Sequence, residues 1–153
     1  MKNKHTPSIT ILMLTLAIFA VYNFGSTMNT VAAVSEPVAQ DNINLLAGEY
    51  QYYEFSTPPG AVNAQVAGSV GVAGGVVPRI LVYVMDASQC PPAGGTSFNF
   101  EGCNSYFVNQ YLNDGGFISE FLPAGSSFYL LFYNDALLGE RKVVSPSITL
   151  EHE

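Results

Sequence analysis

Few side chains in this sequence are equipped for chemistry, and their spacing restricts what they can do. The two histidines are His5, in a basic N-terminal head, and His152, next to the last residue. Neither belongs to a His-Glu-x-x-His pair, and no Gly-x-Ser-x-Gly is present. A serine or cysteine nucleophile therefore has no neighbouring base in the sequence. Paired carboxylates of the glycosidase kind have candidates in Asp86, Glu101, Asp114, Glu120 and Asp135. Acids placed at strand ends are ordinarily just solvated, so an enzyme is not expected. The glycines Gly68, Gly71, Gly74 and Gly75 cluster, but no Gly-Lys-Ser/Thr follows them, which argues against a nucleotide loop.

Cys90 and Cys103 are the only cysteines. In an exported chain such a pair is expected as a disulfide. A reactive thiol would need a histidine, and a zinc site would need two further ligands.

Three binding chemistries remain. Asp86, Asp114 and Asp135, with Asn113 and Asn134, suit a calcium ion if the strand ends converge, since oxygen ligands on loops suit Ca²⁺. The same residue types are the ordinary ones of turns. Tyr52, Tyr106 and Tyr111 are candidates for a platform that stacks on sugars, against the plainer reading of half-buried sheet residues. Leu137 and Leu138 form an apolar loop tip that either meets a partner or membrane surface or folds back over the sheet.

The elements that must position these residues read as strands. Phe128 to Asn134 is apolar on both faces until the Asn, as a central strand is. Arg79 to Asp86 reads the same way. Glu49 to Ser56 sets Gln51, Tyr53 and Phe55 against Tyr50, Tyr52 and Glu54. Ala61 to Val72 alternates strictly, with one packed and one wet face. Gly74-Gly75 predicts a hairpin turn. Ala87 to Ser105 predicts a loop, and Tyr106 to Leu112 fits either a strand or a helical turn. Phe117 to Leu122 predicts a strand that pairs with Phe128 to Tyr133 through the turn at Pro123. Pro146 inside Val143 to Leu150 predicts an edge strand.

Residues 1–33 read as a leader: Lys2, Lys4 and His5, then an apolar run from Ile9 to Phe24. That run, about 16 residues, is short of the roughly 20 a spanning helix needs. Val31-Ala32-Ala33 offers small residues for cleavage after Ala33. A cleaved signal is expected, with an uncleaved membrane anchor as the alternative. Residues 34–44, polar and carrying Pro37, read as a linker, and residues 45–153 as the folded domain.

The composition agrees. Hydrophobic residues make up 48% and charged residues 11%, which excludes disorder for most of the chain. Beyond the leader, Arg79, Arg141 and Lys142 stand against 12 acids. Such an acidic body repels phosphate backbones, so nucleic acid is excluded as a partner. About six or seven short strands, with no convincing helix, predict an all-β fold: an antiparallel two-sheet β-sandwich of jelly-roll type behind an N-terminal hydrophobic leader helix.

Gly125, then Leu130-Leu131-Phe132-Tyr133-Asn134, then Lys142-Val143-Val144 and the alternating strand to Leu150 resemble the end of a GOLD domain. Tyr50 to Phe55, Gln65 to Gly68 and Ile80 to Asp86 lie where that family keeps its earlier strands. The cargo receptors of the family often have a Cys where this chain has Leu131, and they continue into a coiled coil and a membrane span; this chain stops at Glu153. The resemblance implies a β-sandwich used for protein or lipid contacts rather than catalysis; trafficking is not carried over.

The expectation is thus a secreted or extracytoplasmic interaction module without a cofactor, binding a protein partner at the loop end that carries Asp86, Asp114, Asn134, Asp135, Leu137 and Leu138. The alternative is a calcium-assisted domain for a surface glycan. A carboxylate hydrolase is the third reading. Membrane contact is expected only through an uncleaved N-terminal segment.

Overall fold

Runs of alternating or doubly apolar residues, punctuated by Gly and Pro, favour strands that bury one or both faces. The computed structural model describes residues 32–90, 103–112, 114–136 and 139–153, and among these it is all-β, with no helix. The strands are β1 (Val34–Ala39), β2 (Ile43–Leu45), β3 (Tyr50–Ser56), β4 (Gln65–Ala73), β5 (Ile80–Asp86), β6 (Ser105–Leu112), β7 (Gly115–Ile118), β8 (Ser127–Tyr133) and β9 (Lys142–His152). They form two antiparallel sheets. One has the order β1-β9-β4-β7, with β2 also pairing β9; the other has the order β3-β8-β5-β6. The expected leader helix and the Leu137-Leu138 tip lie outside the described residues.

The two inner faces share one core. Val66, Val70, Val72, Val144, Ile148 and Leu150 come from the first sheet, and Ile80, Val82, Val84, Phe128, Leu130 and Phe132 from the second. Aromatic contacts gather on Phe128 of β8: Phe55 of β3 stacks on it with centroids 5.5 Å apart, and Tyr106 of β6 meets it edge-on at 5.4 Å. β5 and β8 are both internal strands, as their doubly apolar runs predict. Their outward residues Leu81, Met85 and Leu131 are buried as well.

Several sequence expectations are corrected. Residues 34–44 are not a bare linker: they carry β1 and the start of β2, both laid on β9. β1 looks like a linker in sequence because an edge strand with both faces wet has no apolar period; its one deep anchor is Ala39, 2% exposed. Residues 105–112 are strand throughout. Gly74-Gly75 does not close a hairpin, because β4 and β5 belong to different sheets. Gly74 has φ +90°, and a Cβ there would stand 2.6 Å from the Arg141 carbonyl oxygen, so a glycine is needed for this crossing. β7 and β8 likewise lie in different sheets, so the turn at Pro123 is a crossing too.

Pro146 sits in a central strand, not at an edge: β9 runs between β4 and the pair β1 and β2. The reason is a gap. β2 pairs with β9 at 142–144 and β1 at 148–152, so Ser145 to Ser147 pair with β4 alone. Facing that gap, the N–H that proline lacks costs no ladder bond.

Past β7 the chain joins the two sheets at a corner. Ser119 N donates to Val66 O of β4 at 2.8 Å, and Glu120 N donates to Tyr106 O of β6 at 2.9 Å. The buried Ser119 hydroxyl accepts from Val66 N at 2.9 Å and donates to Glu120 O at 2.8 Å.

Candidate functional site

The register of β8 decides which chemical residues can meet. Asp86 pairs with Phe128 at the start of β8, whereas Leu81, at the other end of β5, pairs with Tyr133. Asn134 and Asp135 follow Tyr133. They therefore lie a full strand length from Asp86, about 20 Å at 3.3 Å per residue. Asp114 lies toward the Asn134 end, where its Oδ1 accepts from Val72 N at 3.1 Å. The predicted binding set thus divides between the two ends of the sandwich. Asp86, Asp114 and Asp135 do not assemble into one calcium site. Among the described residues no group of three or more His, Cys, Asp and Glu is placed to hold a metal ion.

Asn134 has a structural role. It is fully buried; its Nδ2 donates to Leu45 O at 3.1 Å and to Glu140 O at 2.9 Å, and its Oδ1 accepts from Ala136 N at 3.3 Å. Its backbone N donates to Glu49 O and its carbonyl accepts from Gly48 N. Each polar group is satisfied within the protein, leaving none for a ligand. The predicted tyrosine platform does not form either. Tyr106 points into the core against Phe128, while Tyr52 is on the outer face, edge-on to Tyr129 at 5.1 Å. The side chain of Tyr111 lies outside the described residues, as does Glu101.

What does form is a groove at the Asp86 end of the second sheet. It is about 460 Å³, and Glu54, Asp86, Ser88, Ser126, Ser127 and Tyr129 line it together with Ala87 and Gly125. Glu54 arrives there because β3 sets it opposite Tyr129 on the outward face. The next outward pair, Ser56 and Ser127, bond through their hydroxyls at 2.9 Å. Thr57, buried just beyond β3, holds the turn that supplies Ser126: its hydroxyl donates to Pro123 O at 2.6 Å and accepts from Ser126 N at 3.1 Å.

Asp86 is fixed by its own turn. Its Oδ1 accepts from Ser88 N at 2.9 Å and from Ser88 Oγ at 2.6 Å. Ala87 N donates to Ser127 O at 3.0 Å, and Cys90 N donates to Asp86 O at 3.2 Å. Cys90 and Cys103 are joined in a disulfide with a Cα separation of 5.5 Å. The cross-link thus anchors the turn that carries Asp86, and it is compatible with an extracytoplasmic location.

Tyr129 forms part of the groove wall and is 8% exposed. Burial, then the Glu54 carboxylate and then Tyr52 push its hydroxyl pKa above the ordinary value of 10.0, so it stays protonated and neutral. The three cations of the body lie elsewhere. Lys142, 1% exposed, donates from Nζ to Arg79 O at 2.6 Å at the opposite end of the sandwich, and Arg141 adjoins it in sequence. His152 is in the first sheet, its Nε2 3.6 Å from Glu36 Oε1. Among the described residues, the groove lining therefore offers carboxylates and hydroxyls and has neither a cation nor an imidazole.

Sequence reasoning singled out Asp86 and missed its companions. Glu54, Ser126, Ser127 and Tyr129 carry no motif; they meet only through the β3–β8–β5 register. Compared with known proteins, the chain matches no family model, and no curated protein shows significant similarity to it.

Proposed function

We propose that this protein is a non-enzymatic interaction module that works outside the cytoplasm and binds a protein partner through the Asp86 groove. The observation that carries this reading is the groove itself, whose acceptor groups are held in place by strand register, the Thr57 clamp and the disulfide. Preformed, rigid polar surfaces of this kind favour recognition, because little ordering entropy is lost on binding. The leader-like residues 1–33 and the disulfide support export. A GOLD-like architecture is the finer proposal for the fold, and a contact module is what it would imply.

The second reading is a glycan ligand, favoured by serine hydroxyls beside a tyrosine. Calcium assistance would then need ligands that the ligand or a partner supplies. One experiment separates the two. The protein is immobilised and exposed to surface extract of its own cells, with calcium and with chelator, beside a Glu54→Gln/Asp86→Asn variant. The protein-partner reading predicts one partner recovered in both conditions and lost with the variant. Recovery of glycan or glycoprotein in calcium alone moves the assignment to the second reading. A partner that binds the variant equally well contradicts the groove.

A further inference from the structure

We propose that the free edge of β3 pairs antiparallel with β3 of a second copy of this chain, joining the second sheets of the two copies into one. Pairing there does not depend on what the groove binds. Strands at sheet ends present backbone N–H and C=O groups to any strand that can reach them. Most of the ends here are blunted. β7 is four residues long and opens on two glycines. β2 has three residues, and β1 carries Pro37 and a break in register. β6 shifts register twice against β5. Among the described end strands, β3 alone is long and unbroken: its seven residues pair with β8 in one register, without proline, glycine or lysine. At the two ends of that ladder, Thr57 N donates to Ser126 O and Asn134 N donates to Glu49 O. The odd-numbered residues of β3 therefore turn their backbone groups to β8, and Tyr50, Tyr52, Glu54 and Ser56 turn theirs away from the sheet. The amides of Tyr52, Glu54 and Ser56 meet no acceptor among the described residues, and Glu54 and Ser56 are exposed, so an incoming strand can reach them.

The occupant is a second copy because the strand complements itself. A two-fold axis at Tyr53 overlaps β3 over its whole length, with Tyr50 of one copy opposite Ser56 of the other and Tyr52 opposite Glu54. Those are the residues whose backbone groups point away from β8, so each pair exchanges both of its hydrogen bonds. Gln51, whose Nε2 donates to Tyr52 O at 3.2 Å, gives up that bond to the incoming amide. Glu54 is the only charge on the strand, and it meets a tyrosine. Neighbouring registers are poorer. An axis at Glu54 sets that carboxylate against itself, and an axis at Tyr52 leaves Phe55 and Ser56 beyond the overlap. Two-fold symmetry satisfies both edges at once and leaves neither open to further growth.

The test uses the full chain, made in its own cells with Tyr50→Cys and Ser56→Cys together. Cys90 and Cys103 are bonded to each other, so the two introduced thiols are the ones free to react. In the two-fold register each introduced thiol faces the other kind across the edge, with Cα atoms about 5.5 Å apart, a separation that a disulfide spans. Within one chain the two positions are about 20 Å apart along the strand, too far for an internal bridge. Non-reducing electrophoresis is expected to show a disulfide-linked dimer, at least about tenfold more abundant than from either single variant. Adding Glu54→Pro removes an N–H that points away from β8 and leaves the β8 ladder whole, so the dimer should be lost while circular dichroism shows a folded chain. No dimer from the double variant, equal dimer from the single variants, or a dimer that survives Glu54→Pro overturns the proposal. So does a cross-link to a protein of another mass in place of the dimer. The comparison of double and single variants decides the matter even where the proline chain fails to fold. None of these readouts requires the groove's partner, so the groove reading stands or falls separately.

Discussion

Individual residues in this protein divide into those that hold the sandwich together and those that face outward with unused capacity. Asn134 belongs to the first kind. Replacing it with Leu strands the Leu45 and Glu140 carbonyls that its amide serves. The expected cost is about 1–3 kcal/mol for each buried group left unpaired, read as a lower midpoint in urea unfolding with partner binding retained. Tyr53 and Tyr129 give a second test. Burial raises both hydroxyls above 10.0, aided by Asp41 at Tyr53 and by Glu54 and Tyr52 at Tyr129. A pKa that is higher in the folded state means the folded protein holds its proton longer. The stability this contributes is complete below pH 10.0 and is lost as pH rises through the folded values. The melting temperature should therefore fall more steeply above pH 10 in the wild type than in Tyr53→Phe/Tyr129→Phe, and absorbance titration should show two late-ionising tyrosines. Identical alkaline profiles would contradict it.

Among the elements, β4 and β9 form the seam of the first sheet, and Gly68 of β4 pairs there with Ile148 of β9. A Cβ at Gly68 would overlap Ser147 O and lie 2.8 Å from Ile148 Cα, both backbone atoms of the partner strand. Gly68→Ala must push the strands apart, at an expected cost of about 1–3 kcal/mol in thermal or urea unfolding. Loss of the β4–β9 amide protection in hydrogen exchange should accompany it.

The same scale shows what the sequence could carry. β5 and β8 were legible because a strand packed on both faces has a nearly continuous apolar run, and β4 because its two faces differ. β1 was not, since an exposed edge strand looks like any polar segment. β9 was misplaced because Pro146 signals an edge, while the gap between β1 and β2 makes that edge local. The two presumed hairpins failed for one reason: turn residues report a reversal, and a crossing to the other sheet reverses the chain too. The groove was legible only at Asp86. Its other members depend on pairings between residues more than seventy positions apart, such as Glu54 with Tyr129 and Ser56 with Ser127.

For the whole molecule, the disulfide ties stability and the Asp86 turn together. It closes a short loop, and its removal by Cys90→Ser/Cys103→Ser should cost about 3 kcal/mol of stability through the regained entropy of the unfolded chain. Because Cys90 N bonds Asp86 O, the double variant should also weaken partner binding at temperatures where the domain remains folded. A variant that melts lower yet binds as the wild type would uncouple the cross-link from the groove. Charge is arranged on this scale as well: Lys142 and Arg79 meet at the end of the sandwich remote from the groove, with Arg141 next to Lys142 in sequence.

The most direct measurement is site-specific photo-crosslinking on the native cell surface, with the photoreactive residue placed at Ser88 in the groove or at Glu140 at the opposite end. A groove that binds a protein partner predicts a discrete cross-linked protein from position 88 and none from position 140. A cross-link from position 140 alone, or from neither, would contradict it.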